Sequence, residues 1–105
     1  MELNEVRGQL RRFVEEREWA QFHSPDNLAM SISIEAGELL ECFQWGVENR
    51  AEARLELADV LTYCLLLADR LGEDPCDLVV EKLRITADKY PVEKARGSRR
   101  KYDEL

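Results

Sequence analysis

Leu3, Val6, Leu10, Phe13 and Val14 recur at the three- and four-residue steps that line one face of a helix, and they predict a first helix over residues 3–20. Ser24-Pro25 then reads as an N-cap followed by a first-turn proline, where the missing N–H costs no hydrogen bond. A second helix is expected from Pro25 to about Trp45, stopping near Gly46. Asn49 with Glu52 three residues on resembles a capping box with Asn in place of Ser or Thr, and opens a third helix that reaches about Leu71 and ends at Gly72. Asp74-Pro75 repeats the cap-plus-proline signal, and the fourth helix extends to about Tyr90 before Pro91 ends it. Residues 92–105, polar and basic up to Lys101, read as a tail. No strand alternation or hairpin signal interrupts this pattern, so the expected fold is all-α, a four-helix bundle-like protomer.

Helix three adds a further expectation. From Val60 to Ala68 it carries no charge, and Leu61, Leu65, Leu66 and Leu67 point in several directions. A helix apolar most of the way round needs neighbours on more than one side. Three other short helices are few for that task, which points to subunit association. The competing reading makes it simply the central helix of a monomer.

At 105 residues and 12.2 kDa the chain fits one domain, residues 1–105. A net charge of -7 argues against a nucleic acid polymer or an anionic membrane as partner. Cys42, Cys64 and Cys76 lack CxxC spacing and read as reduced thiols of a cytoplasmic protein. With one histidine a zinc site is not expected, and no stretch approaches the ~20 apolar residues of a membrane-spanning helix.

The candidate chemistry lies in two acid pairs, Glu35 with Glu38 and Glu56 with Asp59. Each pair has i,i+3 spacing, so both side chains share a helix face, and each is flanked by apolar residues. An acid among apolar neighbours is costly unless something compensates it. In an antiparallel hairpin of helices two and three the pairs face each other, and four carboxylates that close repel unless cations are bound. Mg²⁺, or Mn²⁺, suits such an all-oxygen set and suits phosphate chemistry. Glu41 is expected at the wet edge of the cluster. Trp19, Phe22, His23 and Trp45 flank helix two at its ends. Core packing accounts for Phe22, whereas the two tryptophans offer faces on which a nucleobase can stack. His23, by itself a residue more often structural, stands beside them as a substrate-binding candidate.

The pattern ExxE, seventeen intervening residues, then ExxD resembles the all-α nucleoside triphosphate pyrophosphohydrolases of the MazG type, and most closely the short branch that includes the dCTP pyrophosphatases. Glu16–His23, Phe43-Gln44-Trp45, Glu56–Val60, Lys89-Tyr90-Pro91, Ala95–Ser98 and Lys101-Tyr102 carry the likeness in order along the chain. The resemblance implies Mg²⁺-dependent hydrolysis of a (deoxy)nucleoside triphosphate to monophosphate and pyrophosphate, as nucleotide-pool cleaning. It implies that Glu35, Glu38, Glu56 and Asp59 are the metal ligands, that Trp19 and Trp45 enclose the base, and that Lys82 and Tyr90 lie near the phosphates. It also implies a homodimer or homotetramer. Two positions depart from the pattern: Thr86 stands where many members have Asn, and Leu10 where the animal dCTP-preferring enzymes have His. The competing functions are a non-catalytic helical interaction module and a metal or nucleotide sensor.

Overall fold

The computed structural model describes residues 1–45 and 48–105, so the expected helix stop at Gly46 lies outside the described residues. The chain divides into two compact units, Met1–Gly72 and Glu73–Leu105. Among the described residues there is no strand, and no helix is long and apolar enough to cross a membrane.

The first unit holds α1 (Leu3–Glu16), a 3₁₀ turn (Trp19–Phe22), α2 (Pro25–Glu41) and α3 (Arg50–Arg70). The first helix ends four residues before the expected Ala20. Glu18 adopts a left-handed backbone with φ 54°, which an α-helix cannot contain, and the chain restarts as the 3₁₀ turn. Ser24 caps α2 as the sequence indicates, its Oγ accepting from the Asn27 amide at 3.4 Å. Asn27 Nδ2 in turn donates to the Phe22 carbonyl at 3.1 Å, which ties the 3₁₀ turn to the start of α2.

The second helix also ends early, at Glu41 rather than near Trp45. The amides of Cys42, Phe43 and Gln44 reach carbonyls three residues back, so the last turn tightens and residues 42–45 leave the helix as a turn. The Asn49 amide then donates to the Cys42 carbonyl at 3.1 Å and closes the connection, while Asn49 Oδ1 accepts from the Glu52 amide at 3.2 Å and starts α3. Gly72 terminates this helix with φ 71°, as the left-handed ending requires.

α2 and α3 pack along one another and form the main contact of the unit. The buried residues Leu28 and Ala68 sit near one end of this pair and Cys42 and Ala53 near the other, with Val14 contributed by α1. Small residues at Ala53 and Ala68 allow close approach. The core is otherwise thin. Met30, Ile34 and Leu40 on α2 and Leu55, Leu57 and Leu61 on α3 are exposed, and Phe22, expected to pack inside, is 61% exposed.

The second unit comprises α4 (Pro75–Lys89), the single turn α5 (Val92–Ala95) and a closing 3₁₀ turn (Tyr102–Glu104). Asp74 caps α4 through the Asp77 amide at 3.1 Å. The expected tail is folded back onto the end of α4: Tyr102 packs edge-to-face on Tyr90 at 6.2 Å, and Lys89 Nζ lies 4.8 Å from the Tyr102 ring centre.

Loss of the Asn49 cap leaves a helix-start amide without its acceptor, so Asn49→Ala is expected to lower the unfolding free energy by about 1 kcal/mol, with Asn49→Ser retaining most of it. Urea unfolding measures this, and a midpoint for Asn49→Ala equal to wild type would contradict it.

Candidate functional site

The acid pairs occupy adjoining single turns of α2 and α3. Carboxylate oxygens of Glu35, Glu38 and Glu56 lie within 4.8 Å of one another. Glu35 and Glu56 are half-buried, and one oxygen of each, Oε2, is buried with no hydrogen-bond partner among the described residues. Glu38 and Asp59 are exposed. The contact of the Glu35 carboxyl with Glu38, its burial, and the charges of Glu38, Asp59 and Glu56 together push the Glu35 pKa up to about 7. Burial first, and then Glu38, raises Glu56 as well. A cluster of this kind binds a proton near neutrality, or a cation in its place. The candidate donors are all carboxylate oxygens, and Glu35 and Glu56 each keep one buried oxygen without a hydrogen-bond partner among the described residues. This chemistry fits a hard divalent ion such as Mg²⁺ or Mn²⁺ held by Glu35, Glu38 and Glu56.

Two cavities border the acids. One is an acidic cleft of 530 Å³, lined in part by Glu38, Glu56, Glu41, Glu52, Gln44 and Trp45. Glu41 thus sits at the edge of the cluster, outside the three-carboxylate set. The other is a largely apolar cavity of 280 Å³ walled by Leu10 and Phe13 of α1, Trp19 and His23, and Asp59, Thr62, Tyr63 and Leu66 of α3. Trp19 is held edge-to-face on Phe13 at 5.6 Å, and the Arg17 guanidinium covers the Phe13 ring at 3.7 Å.

Among the described residues the two tryptophans line different cavities. Trp19 and His23 line the apolar cavity together with Asp59, whereas Trp45, 83% exposed, lines the acidic cleft with Glu38 and Glu56. Lys82 and Tyr90 belong to the second unit, Lys82 exposed on α4 and Tyr90 at its end against Tyr102. Sequence reasoning missed Tyr63, Phe13 and Glu52. Tyr63 lies four residues after Asp59 and Glu52 four before Glu56, so extending the acid face by one helical turn each way would have found both.

Comparison with known proteins gives consistent matches. The MazG-like family model matches residues 30–105, a span that contains all four acids, Trp45, Lys82 and Tyr90. dCTP pyrophosphatase 1 of Homo sapiens is 40% identical over 114 aligned residues, covering 98% of this chain and 67% of the human protein. The Mus musculus protein of the same name is 38% identical over the same shares. A crystal structure of a pyrophosphatase from Archaeoglobus fulgidus superimposes with a TM-score of 0.78 at 39% identity, covering 85% of this chain and 92% of that one.

The raised Glu35 pKa makes stability depend on pH in a stated direction. The folded chain binds this proton more tightly than the unfolded chain, whose glutamates titrate near 4.5. Its stabilising contribution is complete below pH 4.5 and is lost as the pH rises through about 7. In EDTA, the melting temperature of wild type relative to Glu35→Gln is expected to fall between pH 5 and pH 8, and Mg²⁺ at pH 8 is expected to restore it. Parallel pH profiles for the two proteins would remove Glu35 from the crowded cluster.

Proposed function

The chain belongs to the MazG-like family, and from that premise we propose that it is a nucleotide pyrophosphohydrolase that uses Mg²⁺, or Mn²⁺, to convert (deoxy)nucleoside triphosphates to monophosphate and pyrophosphate. The observation that carries this reading is a crowded carboxylate cluster with orphaned oxygens, next to Asp59, which acts on the cluster by its charge and lines an aromatic cavity. The names of the relatives favour dCTP or a similar deoxynucleotide. The biological role proposed is removal of unwanted nucleotides from the cytoplasmic pool.

Glu35, Glu38 and Glu56, with Asp59 beside them, would hold the ion. A divalent ion at such a site offsets phosphate charge and makes water a better nucleophile. In the reaction, the water oxygen bonds to the α-phosphorus and the bond to the pyrophosphate oxygen breaks. The cluster supplies carboxylates able to accept the proton that the water gives up. Trp19 and His23 would receive the base in the apolar cavity, where aromatic stacking and exclusion of water add affinity. Trp45, on the rim of the acidic cleft, would close over the substrate from the other side of the acids. Lys82 and Tyr90 are assigned to the phosphates on the family resemblance alone.

Self-association belongs to the same proposal. Leu55, Leu57 and Leu61 on α3 and Met30 and Ile34 on α2 leave much apolar surface exposed in one chain, which a second copy of this chain would cover. Light scattering during size exclusion is expected to give twice the 12.2 kDa of the chain, or a higher multiple. A mass of one chain at micromolar concentration would contradict it.

Pyrophosphate release from a panel of dNTPs and NTPs tests the activity, with EDTA expected to abolish it. Glu38→Ala and Asp59→Ala are each expected to reduce turnover by about 100-fold or more while the helical content is kept. Undiminished Mg²⁺-dependent rates in both would overturn the site assignment. Trp45→Ala is expected to raise KM by about 5- to 150-fold, the equivalent of one base stack. An unaltered KM would separate Trp45 from substrate.

A further inference from the structure

The wall of the apolar cavity that α1 provides makes few contacts with α3. Val14 is the α1 residue that is buried among those described. Leu10 and Phe13 on α1 face Thr62, Tyr63 and Leu66 on α3 across the cavity. Directly behind this wall stands a charged contact between the same two helices. Arg11 Nε donates to both oxygens of Asp69, at 3.0 and 3.2 Å, and Arg11 Nη2 donates to Oδ1 at 2.5 Å. Arg7 Nη2 approaches the same oxygen at 3.7 Å.

We infer that the Arg11–Asp69 ion pair is a positioning device for substrate: it holds α1 on α3 and so sets the width of the cavity that takes the nucleotide's base. The inference rests on the nucleotide reading above for what occupies the cavity. The placement of the pair supports it. Arg11 follows Leu10 directly, and Asp69 is one helical turn beyond Leu66, so each partner adjoins a residue of the cavity wall. On the side of Leu10, Leu65 and Leu66 the gap beside the pair measures 10 Å³, room for one water at most, and on the side of Val14, His23 and Leu66 a cavity of 150 Å³ borders it, so both partners line the space next to the wall.

A single exposed ion pair usually does little, because ordering two long side chains offsets the attraction. Here the geometry is a fork on both carboxylate oxygens, and a second arginine shares the acceptor, so the ordering is spread over more bonds. The contact joins residues 58 positions apart, and it restrains the relative position of two helices rather than one helix with itself. The Arg11 guanidinium also holds the Asp69 carboxyl below the usual range, so the pair stays charged across the neutral range.

The test uses the full chain with Arg11→Met, Asp69→Asn and the double substitution, and dCTP as probe. Each single change is expected to raise KM by about fivefold or more with kcat held within about twofold, and the double variant is expected to be no worse than the weaker single one. Arg11→Lys, which keeps the charge but not the fork, is expected to fall between wild type and Arg11→Met. A KM that does not move overturns the inference, as does a loss of kcat and melting temperature at constant KM, which marks a purely structural pair. Effects of the two single changes that multiply in the double variant also overturn it. A second readout needs no turnover. In a Trp45→Phe background, Trp19 is the remaining tryptophan, and acrylamide quenching of its fluorescence is expected to increase in Arg11→Met and Asp69→Asn. If wild type hydrolyses no nucleotide, the nucleotide reading fails, and the quenching result alone decides the clamp: unchanged quenching overturns it.

Discussion

Like charge forced together in the middle of a helix pair is the constraint on which this molecule turns. Glu35, Glu38 and Glu56 cannot all be ionised within 4.8 Å of one another without compensation, and two of their oxygens are shut away from other donors. The hairpin of α2 and α3 creates that proximity and has to resist it. Its resistance comes from capped helix starts at Ser24 and Asn49, from the Asn49–Cys42 bond that closes the connection, and from the close approach allowed by Ala53 and Ala68. The remaining strain is electrostatic, and a proton or a divalent cation removes it. On the proposed function, a structure that stores charge in this way would take a cation, and through it a polyphosphate.

Around the acids the surfaces differ in kind. The cleft beside Glu38 and Glu56 is open and acidic, whereas the cavity beside Asp59 is lined mainly by Leu10, Phe13, Trp19 and Tyr63. A nucleotide has the same division, a charged chain at one end and a flat, weakly polar base at the other. The acids stand between the two environments, where the scissile bond would lie. The sparse contact between α1 and α3 leaves the position of the cavity wall dependent on a few contacts rather than on a deep core.

Much of this was legible in the sequence because it depends on local rules. The caps at Ser24, Asn49 and Asp74 and the stop at Gly72 were readable from residue type, and the acid pairs from their spacing. The early ends of α1 and α2 were not. The left-handed Glu18 and the tightened turn after Glu41 leave no strong mark, since neither uses Gly or Pro within the helix it ends. Composition suggested a polar tail after Pro91, and residues 96–104 are exposed, but the contact that sets Tyr102 against Tyr90 is a longer-range effect that no local pattern reports. The separation of Trp19 from Trp45 was hidden for the same reason: sequence puts both at the ends of helix two, and tertiary packing assigns them to different cavities. The Arg11–Asp69 pair, 58 residues apart, lies equally beyond the reach of periodicity.

Proton release on binding of Mn²⁺ to the metal-free protein decides whether crowding of these carboxylates is what a cation relieves. Titration calorimetry in buffers of different ionisation enthalpy counts the protons displaced. With Glu35 titrating at about 7, the account predicts that at pH 7 each ion bound to the cluster expels roughly half a proton, that the release fades by pH 9, and that Glu35→Gln removes it. Absence of Mn²⁺ binding, or binding without proton release at pH 7, would contradict a carboxylate cluster whose crowding a divalent ion relieves.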